Sequence, residues 1–286
     1  MSKLKALLQK FDRYQQSHRS LAFTSAIIKK YVDDDGGRLA ALITYYGFLS
    51  LFPLLLVATT ATKLYLLESD FFQDSLSKTI NEYFPVLGDY LQSNISGFNE
   101  TGLALLVGLM VTIYGIRGGA SAIRYALNQI WNVPKKDRLR FPASTANSLL
   151  IVLVGGGGLL TATVLSSYAS ALTDGSLLRF LPYLISFSVL ICVFYLIFVL
   201  GTSSKEPSRR DLFVSALVAA IGVQILQIIG GYLLTHELKN LSNLYGAFAA
   251  VLGLFFWIYL QVQVLLFAAF SGVVHARRLW PRGLFG

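Results

Sequence analysis

Cysteine is nearly missing from this chain. Cys192 is the single one among 286 residues, which excludes an intrachain disulfide and any cysteine-based zinc or iron site. Histidine occurs three times, at His18, His236 and His275. No two of these stand at a metal-binding spacing, so no metal ion is expected. Charge is scarce as well: 14% of the residues are Asp, Glu, Lys or Arg, against about 25% in soluble domains. There is no G-x-x-x-x-G-K-S/T loop to cradle nucleotide phosphates and no G-x-S-x-G turn to present a nucleophilic serine. Gly155–Gly158 lies inside an apolar run with no Lys-Ser/Thr after it, and small residues there predict close helix packing or local flexibility. No cofactor is expected. The first 30 residues lack the short apolar core and small-residue cleavage site of a secretory signal, so the first apolar helix is expected to serve as an uncleaved targeting signal.

What the chain has instead is long charge-free runs. Six of them occupy Leu39–Thr62, Thr101–Ile116, Phe141–Thr173, Phe180–Ser204, Leu212–Thr235 and Asn240–Val274. Crossing about 30 Å of hydrocarbon takes about 20 apolar residues at 1.5 Å each, and Leu39–Thr62 is 24 residues long. Thr101–Ile116 is 16, which places Arg117 at a membrane face with its side chain snorkelling outward. Lys and Arg avoid every second gap between the runs. Met1–Arg38 holds 8, Arg117–Arg140 holds 6, Lys205–Arg210 holds 3 and the tail from His275 holds 3, whereas the intervening gaps hold 2, 1 and 1. Cytoplasmic loops keep their cations and translocated loops shed them. The expected fold is therefore all-α: a polytopic bundle of six transmembrane helices with both termini cytoplasmic. Residues 1–38 form a basic N-terminal segment, 39–275 the membrane domain and 276–286 a short tail. Leu4, Leu7, Leu8 and Phe11 are spaced for a short interfacial helix, and Asp33-Asp34-Asp35-Gly36-Gly37 reads as a turn into the next helix. The net charge of +9 follows from this topology, so nucleic acid is not an expected partner. Anionic lipid is.

Chemistry is expected where polar groups interrupt the runs, because such groups are costly in hydrocarbon and usually face the bundle interior. Thr44, Tyr45, Tyr46 and Ser50 make the first span partly polar, and Pro53 is placed to kink it. Gln224 and Gln227, three apart, share one helix face, while Gln261 and Gln263 take roughly opposite faces. Two readings stand for these groups: a polar cavity or pathway, and interhelical hydrogen bonding. Arg117 and Arg124, seven apart on one face, suit bidentate contact with a lipid phosphate, or plain anchoring at the interface. The gap Lys63–Glu100 is acidic and amphipathic and predicts helices over the outer face.

Four stretches together resemble a known family. They are Leu39-Ala-Ala-Leu-Ile-Thr-Tyr-Tyr-Gly-Phe-Leu-Ser-Leu-Phe-Pro-Leu-Leu-Leu56, then Ala126-Leu-Asn-Gln-Ile-Trp-Asn-Val133, then the hairpin with Pro207, Arg209 and Arg210, and finally Tyr245-Gly246 with Trp257-Ile-Tyr259. In order and spacing they are similar to the YihY/BrkB family of bacterial inner-membrane proteins, formerly labelled ribonuclease BN. The resemblance implies a six-helix plasma-membrane protein linked to envelope integrity, serum resistance and transport of lipids or lipopolysaccharide precursors. It adds Asn128, Tyr245, Trp257 and Tyr259 to the candidate substrate-binding residues. The chain departs from the family where Gln224 and Gln227 replace a common E-x-x-K pair and Ala268-Ala269-Phe270 replaces G-A-E, which argues against a proton-coupled mechanism. The function expected is a non-enzymatic transporter or flippase for lipids or envelope precursors, or an accessory to one. The alternative is a scaffold that gathers envelope-assembly proteins; a membrane ribonuclease is disfavoured.

Overall fold

A computed structural model describes residues 18–63, 78, 102–172, 181–233 and 247–280. The described residues form seven α-helices and no strand. α1 is Arg19–Asp33, α2 Gly36–Lys63 and α3 Gly102–Ile130. A 3-10 turn, Lys135–Asp137, leads to α4, Ala143–Leu172. α5 is Leu181–Gly201, α6 Arg209–Leu233 and α7 Ala247–Arg277. Helix is what such a sequence must form in lipid, since every backbone N–H and C=O has to be satisfied within its own segment. Four of these helices are long and apolar enough to cross a membrane, over Ala143–Leu165, Pro182–Gly201, Arg209–Gly230 and Val251–Arg277. Their outward faces carry large apolar groups such as Leu153, Ile228 and Phe256, which are 68%, 74% and 56% exposed. A water-facing protein would not present such a surface, but lipid accepts it.

The helices close into a ring. α2 packs on α3, α3 on α4, α4 on α5, α5 on α6, α6 on α7, and α7 returns to α2. The α6–α7 seam runs antiparallel with a constant register: Gly272 lies on Ser215, Gly222 on Val264 and Gly230 on Trp257. Each step alternates a small residue with a larger one, and this lets the two backbones approach closely. Gly158 does the same under Val193 on the α4–α5 seam, while Gly156 and Gly157 have open space around them. The glycine run thus splits into Gly155 and Gly158, which meet Ile197 and Val193 of α5, and a bare outer face at Gly156 and Gly157. The densest part of the core is at one end of the ring, called basal here. There Leu127, Ile130, Leu266, Phe270, Val273 and Val274 are fully buried.

Two features go beyond the charge-free runs. α3 passes the end of its run at Ile116 and continues to Ile130, the helical stretch that ends before Pro134-Lys135-Lys136-Asp137. Arg117 therefore stands near the middle of the helix, because a charge ends an apolar run without breaking the backbone hydrogen bonds that define the helix. α3 ends where Asn132 turns left-handed (φ 53), with Val133 N–H bonded to Asn128 C=O at 2.8 Å and Asn132 N–H to Gln129 C=O at 2.9 Å. This is a Schellman stop with Asn in the glycine position. The second is α1, a full helix inside the segment read as polar. Its Tyr31 stacks on Phe267 of α7 at 4.6 Å and its Phe23 sits edge-on to Trp280, just beyond α7, at 5.3 Å, so the apolar face of this amphipathic helix is covered by the end of the chain. The Asp34-Asp35 turn to α2 falls where the aspartate–glycine run put it. The expected helix near Leu4–Phe11, the acidic gap Lys63–Glu100 beyond Lys63 (Lys78 apart) and Tyr245 lie outside the described residues.

Candidate functional site

At the basal end, hydrogen bonds and ion pairs join α3 to α4 and α5, α7 to the end of α3, and α6 to α7. Asn128 is the hub. It is 2% exposed; its Nδ2 donates to the Arg124 carbonyl at 2.8 Å and to the Gly201 carbonyl at 3.4 Å, and its Oδ1 accepts from Ser203 N–H at 2.8 Å. One side chain of α3 thereby satisfies the last carbonyl of α5, a group that a helix end otherwise leaves open. Arg124 reaches α4, donating to the Ser144 carbonyl and to Ser148 Oγ at 3.4 Å. Arg277 of α7 donates to the Trp131 carbonyl at 3.1 Å and pairs with Glu206 at 2.7 Å. Asp211 ties α6 to α7 through His275 Nδ1 at 2.7 Å.

Asp211 also caps its own helix. Its Oδ2 accepts from Ser208 N–H at 2.9 Å and Ser208 Oγ at 2.7 Å, and Ser208 Oγ in turn accepts from Asp211 N–H at 3.3 Å. This is the reciprocal box that a Ser-x-x-acid pattern allows. The pattern stands in the sequence as Ser208-Arg-Arg-Asp211, so a capping search would have found it, whereas its tie to His275 needed the tertiary fold. Asp211→Ala is expected to destabilise the detergent-solubilised protein by about 1–2 kcal/mol, with Ser208→Ala costing less and the exposed neighbour Arg209→Ala close to nothing. Thermal unfolding of the three variants checks this.

Further along the bundle, the candidate residues take three places. On α2, Thr44 is fully buried and its hydroxyl has no hydrogen-bond partner among the described residues. Tyr45 points outward, 56% exposed, and Tyr46 lies against Gly118 of α3. Pro53 is carried by the same helix. On one side of α7, Tyr259 neighbours Tyr31, whose hydroxyl donates to Gln263 Oε1 at 2.8 Å. Burial pushes the Tyr31 phenol above the usual tyrosine range, with the Gln263 bond opposing it, so the hydroxyl stays protonated and donates. On the other side, Trp257 is buried against Gly230 of α6. Two residues along a helix turn it by about 200°, which is why Trp257 and Tyr259 face apart. Gln224 and Gln227 lie on α6, about two turns and one turn before Gly230, both partly buried. The Gln227 amide nitrogen and the Ser186 hydroxyl of α5 have no partner among the described residues. Sequence reasoning did not single out Ser186, because a serine in an apolar helix looks the same whether or not its hydroxyl is satisfied.

Arg117 and Arg124 do not act together. Arg124 is 7% exposed and bound to α4, whereas Arg117 is exposed, two turns or about 10 Å away along α3. Among the described residues no three His, Cys, Asp or Glu side chains are grouped to hold a metal.

The profile of the Virulence factor BrkB family matches residues 27–282. A UPF0761 membrane protein of Vibrio vulnificus is 26% identical over 276 residues, covering 93% of this chain and 86% of that protein. The inner membrane protein YhjD of Escherichia coli is 28% identical over 264 residues, covering 84% and 77%. The ribonuclease-like protein YfkH of Bacillus subtilis is 25% identical over 277 residues, covering 91% and 98%. No solved structure matches the chain. With four membrane-crossing helices and a profile match over nearly its whole length, the chain belongs to the BrkB family and is a multi-pass protein of the bacterial inner membrane.

Proposed function

We propose that the protein is a non-enzymatic carrier of lipids or cell-envelope precursors, or an accessory to one, built from six membrane spans with both termini cytoplasmic. In this reading α2 to α7 are the six spans and the basal end is the cytoplasmic one. The Lys and Arg distribution supports that orientation, since the loops at the basal end hold most of the cations. Membrane lipids and envelope-assembly proteins are the partners this role calls for.

One observation carries the reading. Four buried polar side-chain atoms, Thr44 Oγ1, Ser186 Oγ, Gln227 Nε2 and, at the basal end, Arg124 Nε, have no hydrogen-bond partner among the described residues. Each such group costs about 1–3 kcal/mol when left unpaired, and apolar side chains of similar size would remove the cost. A bundle that keeps them has a use for them when a polar ligand group enters. His275 and Asp211, the acid–base pair at the basal end, are already engaged in holding α6 to α7, which favours a carrier over a hydrolase. The test is lipid movement. The purified protein is reconstituted into vesicles of phosphatidylethanolamine and phosphatidylglycerol with a trace of fluorescent lipid, and the outer leaflet is bleached with dithionite. Bleaching beyond the outer-leaflet fraction is expected, reduced in Gln227→Leu. Vesicles that bleach like protein-free ones for each lipid class would overturn the reading.

A further inference from the structure

We propose that Arg117 is a membrane-embedded contact for the phosphate of an anionic phospholipid, which it meets on the outward face of α3. Tyr114, Arg117 and Ser121 follow one another at spacings of three and four residues, so they form one ridge along the helix. All three are exposed, and Tyr114 is 65% so. None has a hydrogen-bond or ion-pair partner among the described residues. This rests on the reading of α3 as a membrane span and gives that reading its ligand class.

Depth makes the arginine unusual. Asn128 fixes the basal end of α3 to the last carbonyl of α5, beside the point where the apolar stretch of α5 ends. Arg117 lies eleven residues further along the same helix, or about 16 Å at 1.5 Å per residue. That is about halfway through a hydrocarbon layer of about 30 Å. With its stem laid back toward the basal face, the guanidinium still lies inside that layer. A charge there needs an anion. The six described carboxylates, Asp33, Asp34, Asp35, Asp137, Glu206 and Asp211, all belong to basal turns and helix ends, and none lies on a helix beyond its first or last turn. Four of them already pair with Lys30, Arg38, His275 and Arg277. Among the described residues no carboxylate pairs with Arg117, and a lipid phosphate on the exposed face of α3 would supply the anion.

The chemistry of the ridge selects phosphate. Guanidinium offers two parallel donors that match two phosphate oxygens, and the hydroxyls of Tyr114 and Ser121, about one turn to either side, can donate to the remaining ones. The contrast with Arg124 sharpens the assignment. Both arginines sit on neighbouring positions of the helical wheel, yet Arg124 is bonded to Ser144 and Ser148 of α4 and Arg117 has no partner among the described residues. A headgroup drawn to Arg117 would be held partway across the bilayer on the outside of the ring, its acyl chains remaining in the surrounding lipid.

The full-length protein, purified in mixed micelles of phosphatidylglycerol and phosphatidylethanolamine, would be examined by native mass spectrometry for retained lipid. Wild type is expected to keep phosphatidylglycerol in preference to phosphatidylethanolamine. Arg117→Gln should lower that retention about tenfold, the worth of one charged hydrogen-bonding contact. Arg117→Lys, which keeps the charge but loses the fork, should fall between the two, and this milder variant serves if the glutamine protein does not fold. Arg138→Gln, a cation at the basal end, should retain as wild type. Equal retention by wild type and Arg117→Gln would overturn the proposal. So would a change in oligomeric state by light scattering in Arg117→Gln, which would assign the missing anion to a second copy of the chain. Retention that depends on Arg117 in a protein that moves no lipid would sink the carrier reading alone; lipid movement with no such retention would sink this one alone.

Discussion

Replacing Asn128 with leucine is expected to loosen the whole basal end and to cost about 2–4 kcal/mol. The substitution leaves the Ser203 N–H and the Gly201 carbonyl without the partner that now satisfies them, and each buried group left open costs about 1–3 kcal/mol. The volume is nearly kept, so the loss is one of hydrogen bonds and not of packing. Asn128→Asp discriminates further: it keeps an acceptor for Ser203 N–H but loses both donors and places a charge in a site 2% exposed, so it should be at least as damaging. Gln129→Ala, next along the chain and exposed, is the control and should change little. Thermal unfolding in detergent reports all three, and a leucine variant as stable as wild type would remove Asn128 from its place as the hub.

The second large effect concerns two glycines that look alike in sequence. At Gly115 a methyl group would come within 2.8 Å of Ser50 Cβ and 2.9 Å of Ser50 Cα. The Ser50 Cα belongs to the backbone of α2 and has no rotamer to escape through, so Gly115→Ala must push α2 and α3 apart, at about 1–3 kcal/mol. At Gly156 nothing lies within 4 Å of the same methyl. There the substitution removes backbone freedom from the unfolded chain, and Gly156→Ala is expected to stabilise by about 0.5–1 kcal/mol. The two variants should move the melting temperature in opposite directions. Movement in the same direction would mean that the α2–α3 seam is looser than the close approach of Ser50 implies.

Much of the fold was legible because lipid as solvent leaves a chain few choices. The charge-free runs Phe141–Thr173 and Phe180–Ser204 anticipate α4 and α5 to within a few residues, since an apolar stretch in hydrocarbon must be helical throughout. At α3 the charge-free run ends at Arg117 while the helix goes on to Ile130, and the rule says nothing of α1, whose aromatic contact with α7 is invisible to periodicity. The candidate site divided in the same way. Gln227 stood out as an amide in an apolar span, and its amide nitrogen has no partner among the described residues. Asn128 was picked by resemblance as a ligand contact, and the structure gives it three bonds within the protein. Arg117 and Arg124 share a face in sequence, and only the position of α4 decides that one is buried and the other is not.

Composition and charge order alone determined that this chain is helical and lives in a bilayer, because both follow from local preferences that each segment expresses without its neighbours. The ring, its basal clasp and the separation of paired from unpaired polar groups were decided by the tertiary structure. Whether a hydroxyl, an amide or a guanidinium is satisfied depends on which backbone carbonyl a distant helix brings within 3 Å of it, and no spacing within one helix encodes that distance.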